Sequence, residues 1–568
     1  MIVLSLIIGA VVGLIVVGFI LVTGRLAARM YPPEGAAWRR VLVPTAGALV
    51  SGFLLYRYFP DARGSGIPQA KFALFIRNGF ISLRTVIGKF LCCSVTLASG
   101  IPLGREGPSV QIGAGVASVI GRRAGLSPAN VKALLPVGCA AALAAAFNTP
   151  IAAVLFALEE ILGDMHAPVL GSVVLSSATS WMVLHLILGD SPLFHVPAYQ
   201  LVNPLEFGIY GLLGVVGGLG SVVFVKLLLK LRLMFKRLPK WTVGIQPVAG
   251  GLLAGLLGWF VPQVLGVGYD YVDKVLSGDF PIKTVALLAV LRIVATPAAY
   301  GSGNAGGLFG PSLFVGAMMG ATTGGIAHRL LPDVTANPGA YALVGMGTAF
   351  AGIVRTPLTS VIMIFEMTRD YSIIVPLMIS NLISFMISRH FQPDPIYEAL
   401  ALQEGVYLPT GESREELAGD SVSKVMMPIG DDTPLLANTA TVDEVKVFLD
   451  RRECNSWPVG MGSFVTALIN RRDLDGTGTK SKTYHDLIDE SSPMTLRDII
   501  DPEATYAYVH PDHPVSYALE KMRESGADVL PVVSRAGIHQ ILGVIGLKEI
   551  LESYGVPTAK FFSRSTPA

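Results

Sequence analysis

The sequence predicts an all-α polytopic membrane domain made of two repeats with broken helices, followed by a small α/β domain. Three observations carry that prediction. Of 568 residues, 52% are hydrophobic and only 15% charged, and the mean hydropathy is +0.57, far from the composition of a soluble globular protein. The segment Gly104-Arg-Glu-Gly-Pro-Ser-Val-Gln-Ile-Gly-Ala114 returns as Gly307-Leu-Phe-Gly-Pro-Ser-Leu-Phe-Val-Gly-Ala317. From about residue 401 the chain turns abruptly polar and charged.

Apolar runs begin at Ile2 to Val22 and continue to about residue 391, broken by Gly, Pro and short polar turns. The first run has no basic flank before it and no small-residue cleavage site after it, so it reads as a retained span rather than a signal peptide. Several runs, such as Ala133 to Phe147 and Pro357 to Phe365, are shorter than the roughly 20 residues a straight span needs. Segments that stop in mid-membrane are tolerated only where protein or a water-filled cavity satisfies their backbone groups, as in a channel or transporter interior.

A Gly-x-x-Gly-Pro-Ser start breaks the chain and then launches a helix, because Gly permits unusual backbone angles and Pro fits the first helical turn. A second pair follows in the same order: Thr149-Pro-Ile-Ala-Ala-Val-Leu-Phe-Ala-Leu-Glu159 aligns with Thr356-Pro-Leu-Thr-Ser-Val-Ile-Met-Ile-Phe-Glu366. Residues 1–195 and 196–400 therefore read as membrane repeats 1 and 2. Two broken helices in matching halves point to a transport site. Basic residues leave the topology undetermined, since Arg25, Arg29, Arg39 and Arg40 lie on one connection and Arg57, Arg63, Lys71 and Arg77 on the next.

Other classes are excluded. A net charge of +2 provides no basic stripe for nucleic acid. Cys92, Cys93 and Cys139 lie in apolar runs and Cys454 in the polar tail, which makes neither a metal site nor a disulfide framework. There is no His-Glu-x-x-His helix, no Gly-x-Ser-x-Gly elbow and no Walker loop, and the histidines are scattered, so an enzyme is not expected.

The polar part reads as a linker over 401–420, two modules over 421–492 and 493–558, and a tail over 559–568. Val422-Ser-Lys-Val-Met-Met-Pro428 opens the first module and Leu496-Arg-Asp-Ile-Ile-Asp-Pro502 the second; each continues into a helix, Val442 to Arg451 or Val515 to Ser525, and a strand around Trp457-Pro-Val459 or Leu530-Pro-Val532. This resembles a pair of CBS (cystathionine beta-synthase) modules, a family that often binds adenine nucleotides through a Ser or Thr three residues before an Asp. Here the positions read Asn470-Arg-Arg-Asp473 and Gly546-Leu-Lys-Glu549. The hydroxyl is missing from both, so an adenine nucleotide at Asn470, Asp473 and Glu549 is a secondary expectation beside a folded dimerisation domain, and transport requires no cofactor.

Four elements, Gly64-Ser-Gly-Ile-Pro68, Gly104-Arg-Glu-Gly-Pro108, Gly307-Leu-Phe-Gly-Pro311 and Tyr397 in Asp394-Pro-Ile-Tyr397, together resemble the CLC family of chloride channels and proton-coupled chloride transporters over essentially the whole chain. The residue types suit an anion path on physical grounds. A Lys or Arg at close range would hold an anion too tightly, whereas backbone N–H groups at helix N-termini attract it without a mobile ion pair. Hydroxyls of Ser65 and Tyr397 add donors.

The resemblance implies an anion site bounded by Ser65 and Tyr397, with Gly66, Ile67, Arg105, Gly107 and the amides of Leu308 and Phe309 around it. Ser at position 65 is the family version associated with chloride preference. It further implies two repeats related by inverted topology, a homodimer with one path per subunit, and a multi-pass protein of a bacterial plasma membrane with CBS modules in the cytoplasm.

Glu106 stands where the second repeat has Phe309. A carboxylate inside a membrane domain is costly unless paired, protonated or facing water; at a helix start it competes with an anion for the same N–H groups, and acid releases the site. Its other reading is a bridge to Arg105. Glu159 matches Glu366 in the repeat, which suggests capping or bracing, whereas Glu160 matches Met367 and is the extra carboxylate of one half. In the family, the second Glu of this pair is the internal proton-transfer residue of transporters and is usually apolar in channels. The expected function is chloride/proton antiport with Glu106 as gate and outer proton acceptor and Glu160 as the inner one; the alternative is a passive chloride channel.

Overall fold

The computed structural model describes residues 1–32, 35–165, 168–190, 193–194, 196, 201–278, 280–406, 421–430, 433–474, 494–500 and 505–553. The chain forms two compact units, Met1–Thr410 and Gly411–Ala568.

In the first unit, repeat 1 contributes α1 (Ile2–Met30), α2 (Arg39–Arg57), α3 (Ile67–Phe75), α4 (Leu83–Ala98), α5 (Glu106–Arg123), α6 (Pro128–Phe147), α7 (Pro150–Phe156) and α8 (Leu170–Leu188). Repeat 2 contributes α9 (Glu206–Lys236), α10 (Gln246–Phe260), α11 (Tyr269–Leu276), α12 (Ile282–Gly301), α13 (Phe309–Leu330), α14 (Pro338–Ile353), α15 (Pro357–Thr368) and α16 (Ile374–Phe391), and α17 (Ile396–Leu402) follows. The helices correspond one to one, α1 with α9 through α8 with α16. Six segments among the described residues are long and apolar enough to cross a membrane, while α10, α14 and α15 are apolar but shorter.

Local chemistry sets the ends of these helices. Pro occupies the first turn of α6, α7, α14 and α15, where its missing N–H is no loss. Ser127 caps α6 by accepting from the Asn130 N–H, and this start extends the run expected from Ala133 to a full 20-residue helix. That run is therefore long enough to span. The run from Pro357 remains a 12-residue helix.

The repeats meet at equivalent residues. Gly104 N–H donates to Gly307 O at 2.8 Å and Gly307 N–H donates to Gly104 O at 2.7 Å, an isolated antiparallel bridge. Equivalent residues that bond each other reciprocally lie on a local two-fold axis, so the two repeats are related by a two-fold rotation. Packing obeys the same symmetry. A Cβ on Gly113 would stand 2.2 Å from Gly138 O between α5 and α6, and one on Gly316 would stand 2.2 Å from Gly345 O between α13 and α14. Hydrocarbon supplies no hydrophobic force between helices, so this close backbone approach is what holds them together.

The second unit carries α18 (Val422–Val425), β1 (Met427–Pro428), α19 (Val442–Arg452), β2 (Ser456–Met461), β3 (Phe464–Asn470), α20 (Arg471–Leu474), α21 (Leu496–Ile499), α22 (Val515–Ser525), β4 (Val529–Ser534), β5 (Gly537–Gly546) and α23 (Leu547–Ser553). Two hairpins, β2–β3 and β4–β5, join through Phe464 and Gln540 into a five-stranded sheet that β1 extends beside β5. Thr441 and Glu444 form a capping box on α19. Ser456 accepts from the N–H groups of Asp528 and Val529 and donates to the Asp528 carboxylate, which ties the hairpins together. The expected linker splits between the units: 401–406 continues the first unit as the end of α17 and the turn after it, while 407–420 lies outside the described residues.

Candidate functional site

Two glycine loops related by the repeat flank the Gly104–Gly307 bridge. Gly64-Ser65-Gly66 turns into α3, and Gly266-Val267-Gly268 turns into α11. The glycines have φ of 94° and 109° in the first loop and 70° and 89° in the second, angles that L side chains resist. A Cβ on Gly66 would also lie 2.2 Å from the carbonyl oxygen of Gly107, so the loop presses main chain against the start of α5. Each loop is fixed by a buried cation on an equivalent helix. Lys89 of α4 donates to the carbonyls of Ala62 at 3.0 Å and Gly64 at 2.6 Å. Arg292 of α12 donates to Gly266 and Val267, both at 2.6 Å, and to Val264.

The sequence-derived anion residues converge here. Ser65, Gly66, Ile67, Gly107, Leu308, Phe309 and Tyr397 are all buried. Among the described residues Ser65 Oγ and Tyr397 Oη have no hydrogen-bond partner, with Tyr300 standing beside Ser65. Buried polar groups are nearly always satisfied, and two orphaned hydroxyl donors suit an acceptor that is itself the cargo. Tyr397 lies within electrostatic reach of Glu160, Tyr300, Glu106 and Glu398. A cavity of about 360 Å³ reaches Gly64 and Tyr300, and Arg63, Arg77, Arg232, Lys236 and Lys240 line it beside Asp61 and Glu404, which leaves an excess of positive charge. That charge concentrates anions at its mouth.

Glu106 is fully buried at the first position of α5. Its Oε1 accepts from the Tyr269 hydroxyl, and its Oε2 accepts from Gly310 N–H at 3.2 Å. Arg105 stands farther off, with Nε 3.8 Å from Oε1, and that Nε has no hydrogen-bond partner among the described residues. The carboxylate is thus seated on the first turn of α13 rather than committed to arginine. Phe309, its counterpart, stacks within an apolar cluster, 4.6 Å from Phe147, 5.6 Å from Phe156 and 4.2 Å from Phe350 between centroids.

Glu159 and Glu160 lie on a π-turn, Ala157–Leu162, that follows α7; such turns recur at functional sites. Glu159 turns out to α15, accepting from Leu358 N–H at 3.3 Å, Thr359 N–H at 2.8 Å and the Thr359 hydroxyl at 2.6 Å. Glu160 turns inward and pairs with Lys71 Nζ at 2.8 Å, and Lys71 also binds Glu398. All three side chains are more than nine-tenths buried. One cation faces two carboxylates, so one of the two can hold a proton without leaving Lys71 unpaired.

Lys71 overturns an expectation: it reads as a loop charge in the sequence but lies inside α3, buried between two acids. Tyr269 and Glu398 were also missed. Gly266-Val-Gly268 repeats Gly64-Ser-Gly66 and could have pointed to Tyr269, and Glu398 directly follows Tyr397. In the second unit, Asp473 accepts from the Asn470 N–H at 3.0 Å. Glu549 folds back so that its Oε2 stands 2.2 Å from where a Gly546 Cβ would be. Asp473 thus serves the start of its own short helix.

The chain resembles known proteins across both units. The family model described as "Voltage gated chloride channel" matches residues 47–389, and one described as "CBS domain" matches 496–555. A putative chloride channel protein ClcB-like of Ralstonia nicotianae is 34% identical over 371 residues, 64% of this chain and 86% of that protein. The H(+)/Cl(-) exchange transporter ClcA of Vibrio campbellii is 33% identical over 366 residues, 63% of this chain and 78% of that one. Among solved structures, a slow cyanobacterial Cl-/H+ antiporter is 26% identical with a TM-score of 0.66, covering 71% of this chain and 97% of its own. A eukaryotic CLC transporter, 20% identical with a TM-score of 0.65, shares the fold over 96% of this chain and 97% of its own.

Proposed function

The chain belongs to the family of voltage gated chloride channels, the CLC family, and from that premise we propose that it exchanges chloride for protons across a membrane. Members of this family are transporters or channels rather than enzymes, and the relatives named as exchangers support the coupled form. The observation that carries the reading is the seat of Glu106: a fully buried carboxylate on the N–H of Gly310, at a helix N-terminus that suits an anion. Ionised, it blocks the path as a tethered anion. Protonated, it leaves the seat to chloride.

Chloride then bridges the hydroxyls of Ser65 and Tyr397, beside the loops that carry Gly66, Ile67, Gly107, Leu308 and Phe309. Glu160 takes the role of inner proton acceptor. Its support is the excess of buried carboxylate over cation around Lys71 and its nearness to Tyr397, which also feels Glu106. Arg105 adds positive field at the gate without binding the carboxylate closely. A second copy of the chain is the expected partner, with one path per subunit, and the reading assigns no cofactor to transport.

The test is flux in proteoliposomes. An imposed chloride gradient is expected to drive protons uphill. Chloride movement with no accompanying proton movement would replace this reading with a passive channel.

A further inference from the structure

We propose that Tyr269 is the latch of the Glu106 gate, a positioning residue whose hydroxyl holds the ionised carboxylate on α13 and so sets the pH at which the path opens. The inference rests on the gate assignment made above. Its geometry is independent of that assignment: each carboxylate oxygen of Glu106 has one donor, the Tyr269 hydroxyl on Oε1 and Gly310 N–H on Oε2.

The chain invests structure in placing this hydroxyl. Tyr269 is the first residue of α11 and the two-fold counterpart of Ile67, at the end of a loop with two left-handed glycines. Arg292, fully buried, clamps that loop through three carbonyls and lies over the Phe314 ring at 4.5 Å. The Tyr269 ring meets Phe194 edge-on at 5.5 Å, and the Arg105 guanidinium lies 5.4 Å from its centroid. The same loop that offers Ser65 to the anion in one repeat offers Tyr269 to the competing carboxylate in the other.

An ionised carboxylate only accepts, and a hydroxyl donating to it makes a charge-assisted bond about twice as strong as a neutral one. Protonation removes that advantage, so the bond selectively favours the closed gate. Among the described residues, the charged and titratable groups facing Glu106 are Arg105 beside it, Tyr269 on α11 and Tyr397 on α17; Arg292 on α12 faces Tyr269, and Tyr31 after α1 faces Arg292. Of these, Tyr269 alone bonds the carboxylate among the described residues.

Tyr269→Phe keeps the ring and its contacts and removes only the donor. Chloride flux in proteoliposomes, normalised to each protein's own acid maximum so that the folded fraction drops out, is expected to reach half-maximum about one pH unit higher than in the unmodified protein. In a Glu106→Gln background the same substitution is expected to change nothing. An unmoved midpoint, or an equal change in both backgrounds, overturns the latch and leaves the gate standing. Flux of Glu106→Gln that still follows pH overturns the gate itself. Should Tyr269→Phe not fold, Tyr269→Met fills the space without a hydroxyl and carries the same expectation.

Discussion

Glu159 and Glu366 cap each other's helices: Glu159 of repeat 1 accepts the first N–H groups of α15, and Glu366 of repeat 2 accepts those of Ile151 at 2.9 Å and Ala152 at 2.7 Å in α7. Equivalent residues thus satisfy equivalent orphan donors across the two-fold axis. The pairing separates the two adjacent acids of the π-turn, one fixed as a cap and the other turned inward to Lys71.

Alanine at Glu159 or at Glu366 should therefore cost about 1 kcal/mol of stability each while leaving coupling intact. Melting of the purified protein and the chloride-to-proton flux ratio check this together. A changed ratio with unchanged melting would assign the cap a transport role.

Glu106→Gln carries the gate. The amide mimics the protonated side chain, so chloride flux should persist, lose its pH dependence and no longer move protons. Flux measured between acid and neutral pH decides it, and retained proton exchange contradicts the assignment.

Glu160→Val should bring proton movement to background while chloride still passes. A pH-sensitive dye inside the vesicles reads the first, and chloride efflux the second. Surviving coupling would place proton entry elsewhere, with Glu398 the adjacent carboxylate to test.

Lys71→Met strands two buried carboxylates, and breaking a buried pair by removing one partner costs roughly 3–5 kcal/mol. The variant should melt well below the unmodified protein. Lys71→Met combined with Glu398→Gln removes one of the two stranded charges and should recover part of the loss; no recovery would mean that packing, not charge, sets the cost.

Much of this was legible because loops that bind ions in membranes are forced to use particular residues. The Gly-Pro starts of α5 and α13, the Thr-Pro starts of α7 and α15 and the unmatched Glu106 were all visible, and with them the two halves. The paired capping of Glu159 and Glu366 followed from their alignment. What stayed hidden depends on contacts between distant segments. Lys71 looks like any loop cation until α3 is packed against α17 and the π-turn, and Tyr269 looks like an interface aromatic until the second glycine loop is superposed on the first. The π-turn itself has no sequence signature beside its regular counterpart in α15.

The hydrogen-bonded main chains of Gly104 and Gly307 have a further consequence. A contact between identical positions is one that two separate copies of a half-length chain can make, so nothing in that junction tells one face of the membrane from the other. Vectorial behaviour must come from where the halves have diverged: acid against phenyl at 106 and 309, hydroxyl against isopropyl at 65 and 267, isoleucine against phenol at 67 and 269. Around a symmetric pivot such mismatches, with Glu160 against Met367 among them, give an otherwise reversible scaffold a front and a back.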